Sequence, residues 1–208
     1  MTKIKICGLR RKEDVDIINS FLPDFAGFII SNGFRRTVAK EDFLNLAKNI
    51  DSTIKKVGVF VNETYDSILN YALYLDVLQL HGDESFEYAE KLRKESGKTI
   101  IKAIRARRHG DIERFNDYPC DYLLIDAYKE GEYGGTGKIA DWSIIKKAKI
   151  NKPFFLAGGI SSYNVSDAID ELSPFCVDVS SSVETNGYKD RLKIKELIQK
   201  IRKEEKYE

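Results

Sequence analysis

The chain has 208 residues, 42% hydrophobic and 32% charged, which is enough apolar length for the core of one ordinary globular domain. Lys and Arg total 34 against 33 Asp and Glu, and a formal net charge of +1 leaves no electrostatic footprint for nucleic acid or a membrane surface. No apolar run nears the roughly 20 residues of a membrane span, and three cysteines without C-x-x-C spacing argue against a disulfide framework or a zinc site. With no apolar leader before the first β-rich run, the expectation is a single cytoplasmic domain over residues 1–208 carrying free thiols.

Short β-rich runs recur at 4–7, 25–30, 57–61, 77–80, 99–104, 122–126, 154–157 and 177–180. Between most of them lie stretches with helical spacing. Phe43, Leu44 and Ala47 form one stripe, Ile68, Leu69, Ala72 and Leu73 another, and Leu192, Ile194, Leu197, Ile198 and Ile201 a third. Asn62 is a candidate N-cap for the second of these helices, and Asp83 or Ser85 for the helix through Leu92. The segment 105–119 is short and very polar, which makes its helix the weakest of the set. The runs are too continuously apolar for one-sided antiparallel strands and suit a parallel sheet covered by helices. Eight β units alternating with helices predict an α/β fold, a single (β/α)8 TIM barrel. An open doubly wound sheet is the alternative; it usually has fewer strands, and no G-x-G-x-x-G follows the first run.

Two runs end on chemistry. Cys7 closes Lys3-Ile4-Lys5-Ile6-Cys7 ahead of Gly8, and Asp126 closes Tyr122-Leu123-Leu124-Ile125-Asp126. In parallel α/β proteins the C-terminal strand ends gather the active site, so a thiol and a carboxyl there form a candidate base and acid. That pairing suits proton transfer on a small molecule and requires no metal or redox cofactor. Gln79, His81, Arg105 and Asp178 fall on or near other strand ends. Each alone is read most simply as packing or solvated, but their convergence on one rim favours a pocket. Cys120 and Cys176 read as small buried hydrophobes.

Gly158-Gly159 follows the seventh run and Ser180-Ser181-Ser182 the eighth. Barrels often bind phosphate there, through backbone N–H groups and a short helix. Arg35 and Arg36, after the second run, offer a guanidinium for a two-point grip on a carboxylate. The cluster Arg105, Arg107, Arg108 and His109 lacks the basic face and interleaved aromatics of an RNA-binding surface.

The ordered segments Lys5-Ile6-Cys7-Gly8-Leu9, Val57-Gly58-Val59-Phe60-Val61-Asn62, Leu78-Gln79-Leu80-His81-Gly82-Asp83-Glu84, Leu123-Leu124-Ile125-Asp126 and Leu156-Ala157-Gly158-Gly159-Ile160 span most of the chain. With Gly134-Gly135-Thr136-Gly137-Lys138, Asp141-Trp142, Val177-Asp178-Val179-Ser180-Ser181, Val183-Glu184, Gly187 and Lys189-Asp190, the sequence resembles the phosphoribosylanthranilate isomerases of tryptophan biosynthesis. The resemblance implies a (β/α)8 barrel that performs an Amadori rearrangement of a small phosphorylated substrate, as a monomer or a homodimer. It implies Cys7 as general base and Asp126 as general acid. Arg36 would hold the anthranilate carboxylate, Gly158, Gly159, Ser180, Ser181 and Ser182 the phosphate, and His81 and Asp178 would line the pocket.

Two positions depart from the family. Phe34-Arg35-Arg36 stands where the family has Ser-Pro-Arg, so Arg35 competes with Arg36 for the carboxylate role. Ser182 stands where the family has Gly, and would be strained if that position needs a positive φ. The alternatives are another sugar-phosphate isomerase or epimerase on the same barrel, or a phosphate-binding barrel without catalysis. The Lys-Ile-Cys-Gly start disfavours the dual-substrate barrels, which begin with an aspartate base, and retention of both Cys7 and Asp126 disfavours the non-catalytic reading.

Overall fold

The structure, a computed structural model, describes residues 1–126 and 142–204. The Gly134–Lys138 glycine-rich segment and Asp141 therefore lie outside the described residues. Eight parallel strands close into a barrel in sequence order: β1 (Lys3–Cys7), β2 (Phe25–Ile29), β3 (Lys55–Phe60), β4 (Val77–Leu80), β5 (Thr99–Arg105), β6 (Tyr122–Asp126), β7 (Phe154–Ala157) and β8 (Cys176–Val179). The helices between them are α1 (Lys12–Phe21), α2 (Lys40–Ala47), α3 (Tyr65–Ala72), α4 (Phe86–Ser96), α5 (His109–Glu113), α6 (Ser143–Lys147) and α7 (Val165–Leu172). After β8 come a 3-10 turn (Ser181–Val183), a small hairpin of β9 (Glu184–Thr185) and β10 (Tyr188–Lys189), and α8 (Arg191–Glu204). This is the (β/α)8 TIM barrel expected from the order of runs. No helix among the described residues is long and apolar enough to cross a membrane.

Strand alternation divides the apolar residues into two cores. One face of each strand, with Ile4, Ile6, Phe28, Leu78, Ile104, Ile125 and Val177, packs against the helices. The other face fills the lumen with Val57, Val77, Ile101, Leu124, Phe155 and Cys176. At the N-terminal end of the lumen the Phe25 and Phe155 rings meet edge to face at 5.2 Å, and Tyr122 stacks on Phe175 at 4.7 Å. Such pairs add about 0.5–1.5 kcal/mol each beyond area burial. They plug the bottom of the barrel, so the polar inward positions are left at the top.

Several local expectations change. Asn62 is not the cap of α3; that position is Thr64, while Asn62 sits at φ 51° and its Oδ1 accepts the Asp83 N–H at 2.7 Å. Ser85, not Asp83, caps α4, accepting the Tyr88 N–H at 3.2 Å. Leu73 and Leu192 leave their stripes and are 79% and 75% exposed, whereas Ile68, Ala72, Ile194 and Ile201 are buried. The polar fifth segment does form a helix, of only 5 residues, with the Asp111 carboxylate accepting the Arg107 and Arg108 N–H groups ahead of it.

One feature outside the lumen was invisible to periodicity. Lys102 lies on the helix-facing side of β5 and pairs with Glu84 at 2.8 Å, each side chain 2% exposed. Glu84 also accepts the Asn62 and Gly82 N–H groups, which ties the loop after β4 to the loop after β3. Removing one partner of a buried pair leaves an uncompensated charge and costs about 3–5 kcal/mol. Lys102→Met is expected to lower stability by about that amount in urea or thermal unfolding, with Lys102→Met/Glu84→Gln losing less. A change below about 0.5 kcal/mol in the single variant, the range of an ordinary surface substitution, would show that the pair does not organise these loops.

Candidate active site

Because Ile6 and Ile125 face the helices, Cys7 and Asp126 face the lumen, each as the last residue of its strand. The same alternation turns Lys5, Gln79, Arg105 and Asp178 inward, since their strand neighbours Ile4, Leu78, Ile104 and Val177 belong to the outer core. Cys7 is 8% exposed and lies beside Gly27 of β2, where a side-chain carbon would come within 2.7 Å of its Sγ. Gly27 thus makes the room that the thiol occupies. Burial pushes the Cys7 thiol up, while Lys5 and Lys189 pull it down and Asp178 adds to the rise.

Asp126 is flanked in register by Arg105 and Ala157. Burial, then the charge of Asp178, raises its carboxyl above the ordinary aspartate value, and Arg105 opposes this only in part. A carboxyl in that setting retains its proton to higher pH, as a general acid requires.

Below these two lies a buried ion pair. Lys5 Nζ donates to Asp178 Oδ2 at 2.9 Å, with side-chain exposures of 0% and 9%. The other carboxylate oxygen of Asp178 is buried with no hydrogen-bond partner among the described residues. Burial alone would strip the Lys5 proton, yet Asp178 and Cys7 together hold its pKa above the ordinary lysine value. Lys5 was not among the residues singled out from sequence. Its signal was a lysine at an inward position two residues before the cysteine, which in an isolated strand reads as a solvated side chain.

His81 follows β4, and its Nδ1 lies 2.8 Å from Gln79 Nε2. Burial, with help from Lys5, Arg105 and Lys102, pushes its pKa down to about 4, so the ring is neutral at pH 7. An amide N–H donating to Nδ1 leaves the remaining ring proton on Nε2.

The rim opposite is basic. Arg36 Nε and Nη2 grip the two oxygens of Glu184 at 2.6 and 2.9 Å, Arg35 Nη2 reaches one of them at 2.8 Å, and Lys189 Nζ the other at 2.9 Å. Burial would push Glu184 up, but Arg36 and Lys189 hold it below the usual carboxylate range. Three cations thus surround one carboxylate. Arg35 and Arg36 both point to this cluster, Arg36 with 17% side-chain exposure and Arg35 with 63%. Arg10 clasps the region by donating to the carbonyls of Arg35 and Gly187, and its guanidinium lies over Tyr188 at 4.7 Å.

The remaining predicted groups sit beside it. Gly158 and Gly159 follow β7 at φ 86° and 71°, a backbone shape that a side chain would strain. Ser180 Oγ donates to the Cys7 carbonyl at 3.0 Å, which brings the loop after β8 against the end of β1. Ser181 and Ser182 lie in the 3-10 turn. Ser182 is not among the positive-φ residues, so serine is unstrained there, and its hydroxyl is buried without a partner. Cys120 and Cys176 are buried free thiols away from this end, as expected of packing residues. No three His, Cys, Asp or Glu side chains among the described residues cluster as a metal-binding set.

A closed parallel barrel with a buried thiol and carboxyl at its C-terminal end, under a cluster of cations, is the architecture of an enzyme acting on anionic small molecules. The family model for N-(5'-phosphoribosyl)anthranilate (PRA) isomerase matches residues 4–200. The N-(5'-phosphoribosyl)anthranilate isomerase of Clostridium acetobutylicum is 44% identical over 207 residues, covering 98% of this chain and 99% of that protein. The phosphoribosyl anthranilate isomerase of Thermotoga maritima superposes with a TM-score of 0.86 at 36% identity, covering 98% of this chain and 100% of that one. A phosphoribosyl anthranilate isomerase solved with reduced 1-(o-carboxyphenylamino)-1-deoxyribulose 5-phosphate superposes at 0.83, with 32% identity and coverage of 98% and 100%. The chain belongs to the phosphoribosylanthranilate isomerase family.

With a folded pKa near 4 against about 6.5 unfolded, the unfolded chain takes up the His81 proton first as pH falls. Stability should therefore decline between about pH 6.5 and pH 4, the window set by those two values. His81→Asn should flatten that part of the unfolding profile, and NMR of the His81 ring should titrate near pH 4. A ring that titrates near 6.5 would show it to be solvated.

Proposed function

We propose that this protein isomerises N-(5'-phosphoribosyl)anthranilate to 1-(2-carboxyphenylamino)-1-deoxyribulose 5-phosphate, the Amadori step of tryptophan biosynthesis, with Asp126 as general acid and Cys7 as general base. The observation that carries the residue assignment is a carboxyl raised by burial at the same lumen end as a thiol with a lysine beneath it. Asp126 delivers its proton to the furanose oxygen as the C1–O bond breaks, and the anthranilate nitrogen lone pair forms the iminium. The iminium acidifies the proton on C2, which the Cys7 thiolate removes to give the enolamine. Loss of the O2 proton and protonation at C1 then yield the aminoketone. Each general acid or base contributes typically about 10²–10⁴-fold.

The cationic rim fits the two anionic ends of this substrate. Arg36, oriented by Glu184 through Nε and Nη2, offers the outer Nη1 edge of its guanidinium to the anthranilate carboxylate. Gly158, Gly159, Ser180, Ser181 and Ser182 supply backbone N–H groups and hydroxyls for the phosphate, next to Lys189. Asp178 and His81 line the wall between them, a neutral imidazole adding a donor without a charge.

Steady-state turnover, with substrate generated in place and loss of anthranilate-type fluorescence followed, tests the catalytic pair. Cys7→Ser and Asp126→Asn should each reduce kcat by at least about 10²-fold, while affinity for the reduced, ring-opened product analogue stays near wild type. More than about a tenth of wild-type kcat in either variant removes that residue from its role, and if the variant is Asp126→Asn, Asp178 becomes the next candidate acid.

Arg36→Ala should weaken a carboxylate-bearing product analogue by about 1.5–3 kcal/mol, the worth of a charge-assisted contact, and ribose 5-phosphate by much less. Arg35→Ala should show no such selectivity, because its side chain is largely exposed. If calorimetry finds the selective loss in Arg35→Ala instead, Arg35 holds the carboxylate.

A further inference from the structure

A thiol base presents a problem that this pocket makes worse. Burial raises both the Cys7 thiol and the Asp126 carboxyl, and since a carboxyl ordinarily ionises below a thiol, the combination of protonated carboxyl and thiolate is a minority population. Each unit by which the thiol is lowered enlarges that minority about tenfold. The pocket therefore needs a fixed cation close to Cys7 that cannot itself be lost.

Among the described residues, the charged groups that act on Cys7 are Lys5 from its own strand, Asp178 from β8 and Lys189 from β10, while β2 presents only Gly27. Arg36 crosses over Gly8 but spends its guanidinium on Glu184, and Lys189 does the same with its ammonium. Lys5 is different. It has the same inward orientation as Cys7 two residues on, it is fully buried, its ammonium is held by Asp178, and its charge favours the Cys7 thiolate. One Asp178 oxygen holds Lys5 at 2.9 Å, while the other is buried with no partner among the described residues. A carboxylate so poorly satisfied is tolerated only because the lysine charge compensates it.

We infer that Lys5, anchored by Asp178, is the positioning residue that stabilises the thiolate of Cys7, with Asp178 limiting the effect from the opposite side. The inference rests on Cys7 being the base of the proposed isomerisation. Lys5 touches no reacting atom; it acts through the sulfur. The two members of the pair have opposite signs at Cys7: the ammonium favours the thiolate, and the carboxylate disfavours it. A purely structural pair would not have this property, since losing either member would perturb the site in the same sense.

The test is the titration of Cys7 in the intact protein by NMR of β-13C-labelled cysteine, its resonance assigned by disappearance in Cys7→Ser. Lys5→Met should raise the Cys7 midpoint by at least about one unit and lower kcat/KM near neutral pH by at least about threefold. The loss is smaller than the roughly tenfold drop in thiolate because a more basic thiolate is more reactive, with a Brønsted slope of about 0.4–0.5. KM should change less than kcat, and the alkaline limb of the activity profile should move to higher pH together with the Cys7 midpoint. Asp178→Asn should move the midpoint down. It also keeps the question answerable if Lys5→Met does not fold. An unmoved or lowered midpoint in Lys5→Met, or a raised one in Asp178→Asn, overturns the inference. Full activity of Cys7→Ser with a Lys5-dependent midpoint would instead overturn the assignment of the base.

Discussion

Lys5 on β1 and Asp178 on β8 meet at 2.9 Å across the seam that closes the barrel, 173 residues apart in the chain. The pair lies in a medium of low dielectric, where separating its members costs several kcal/mol. The pair therefore holds the register of first strand against last at the level just beneath the site. Cys7, one inward step above Lys5, and Ser180, one inward step above Asp178, are brought together by that register and joined by a hydrogen bond at 3.0 Å. The same charges set the electrostatic background for Asp126, His81 and the thiol.

Around this seam the proposed chemistry and the proposed binding charges occupy different levels. The proposed acid and base lie inside the lumen, where burial raises a carboxyl and a thiol and keeps an imidazole neutral. The cations lie on the rim, where Glu184 gathers Arg35, Arg36 and Lys189. An ion cluster with more positive than negative groups accepts a further anion without reorganising, which is the condition for preorganised recognition. The hairpin β9–β10, clasped through Arg10 and Tyr188, supplies both Glu184 and Lys189 and so fixes the rim to the end of β8. Aromatic packing at the opposite end of the lumen closes the bottom, and the site is left with a single open end.

Outside the lumen, loops are shaped by carboxylates that receive backbone N–H groups. Asp14 accepts the N–H groups of Arg10 and Arg11 after β1, Asp111 those of Arg107 and Arg108 after β5, and Glu84 those of Asn62 after β3 and Gly82 after β4. Each satisfies donors that a tight strand-to-helix turn would otherwise leave unpaired. The basic run at Arg105 to His109 belongs to this local architecture: Arg108 pairs with Asp111 and His109 with Glu113.

The strands were legible from sequence because a parallel strand covered on both faces is apolar nearly throughout, and runs such as Tyr122–Asp126 and Val77–Leu80 coincide with the folded elements. Cys7 and Asp126 stood out for the same reason, as reactive groups ending apolar runs before a turn. What sequence spacing alone did not convey is which polar residues face one another. Lys5 and Lys102 carry no local signal of their partners, and only closure of the barrel puts one in the lumen opposite Asp178 and the other under the helices against Glu84. The cap of α3 likewise falls at Thr64 because Asn62 is drawn to the Asp83 N–H of a neighbouring loop. Local pattern determines element type, since it depends on neighbours a few residues away. Charge partnership, burial and proton affinity depend on groups distant in the chain, and those were decided by the tertiary fold.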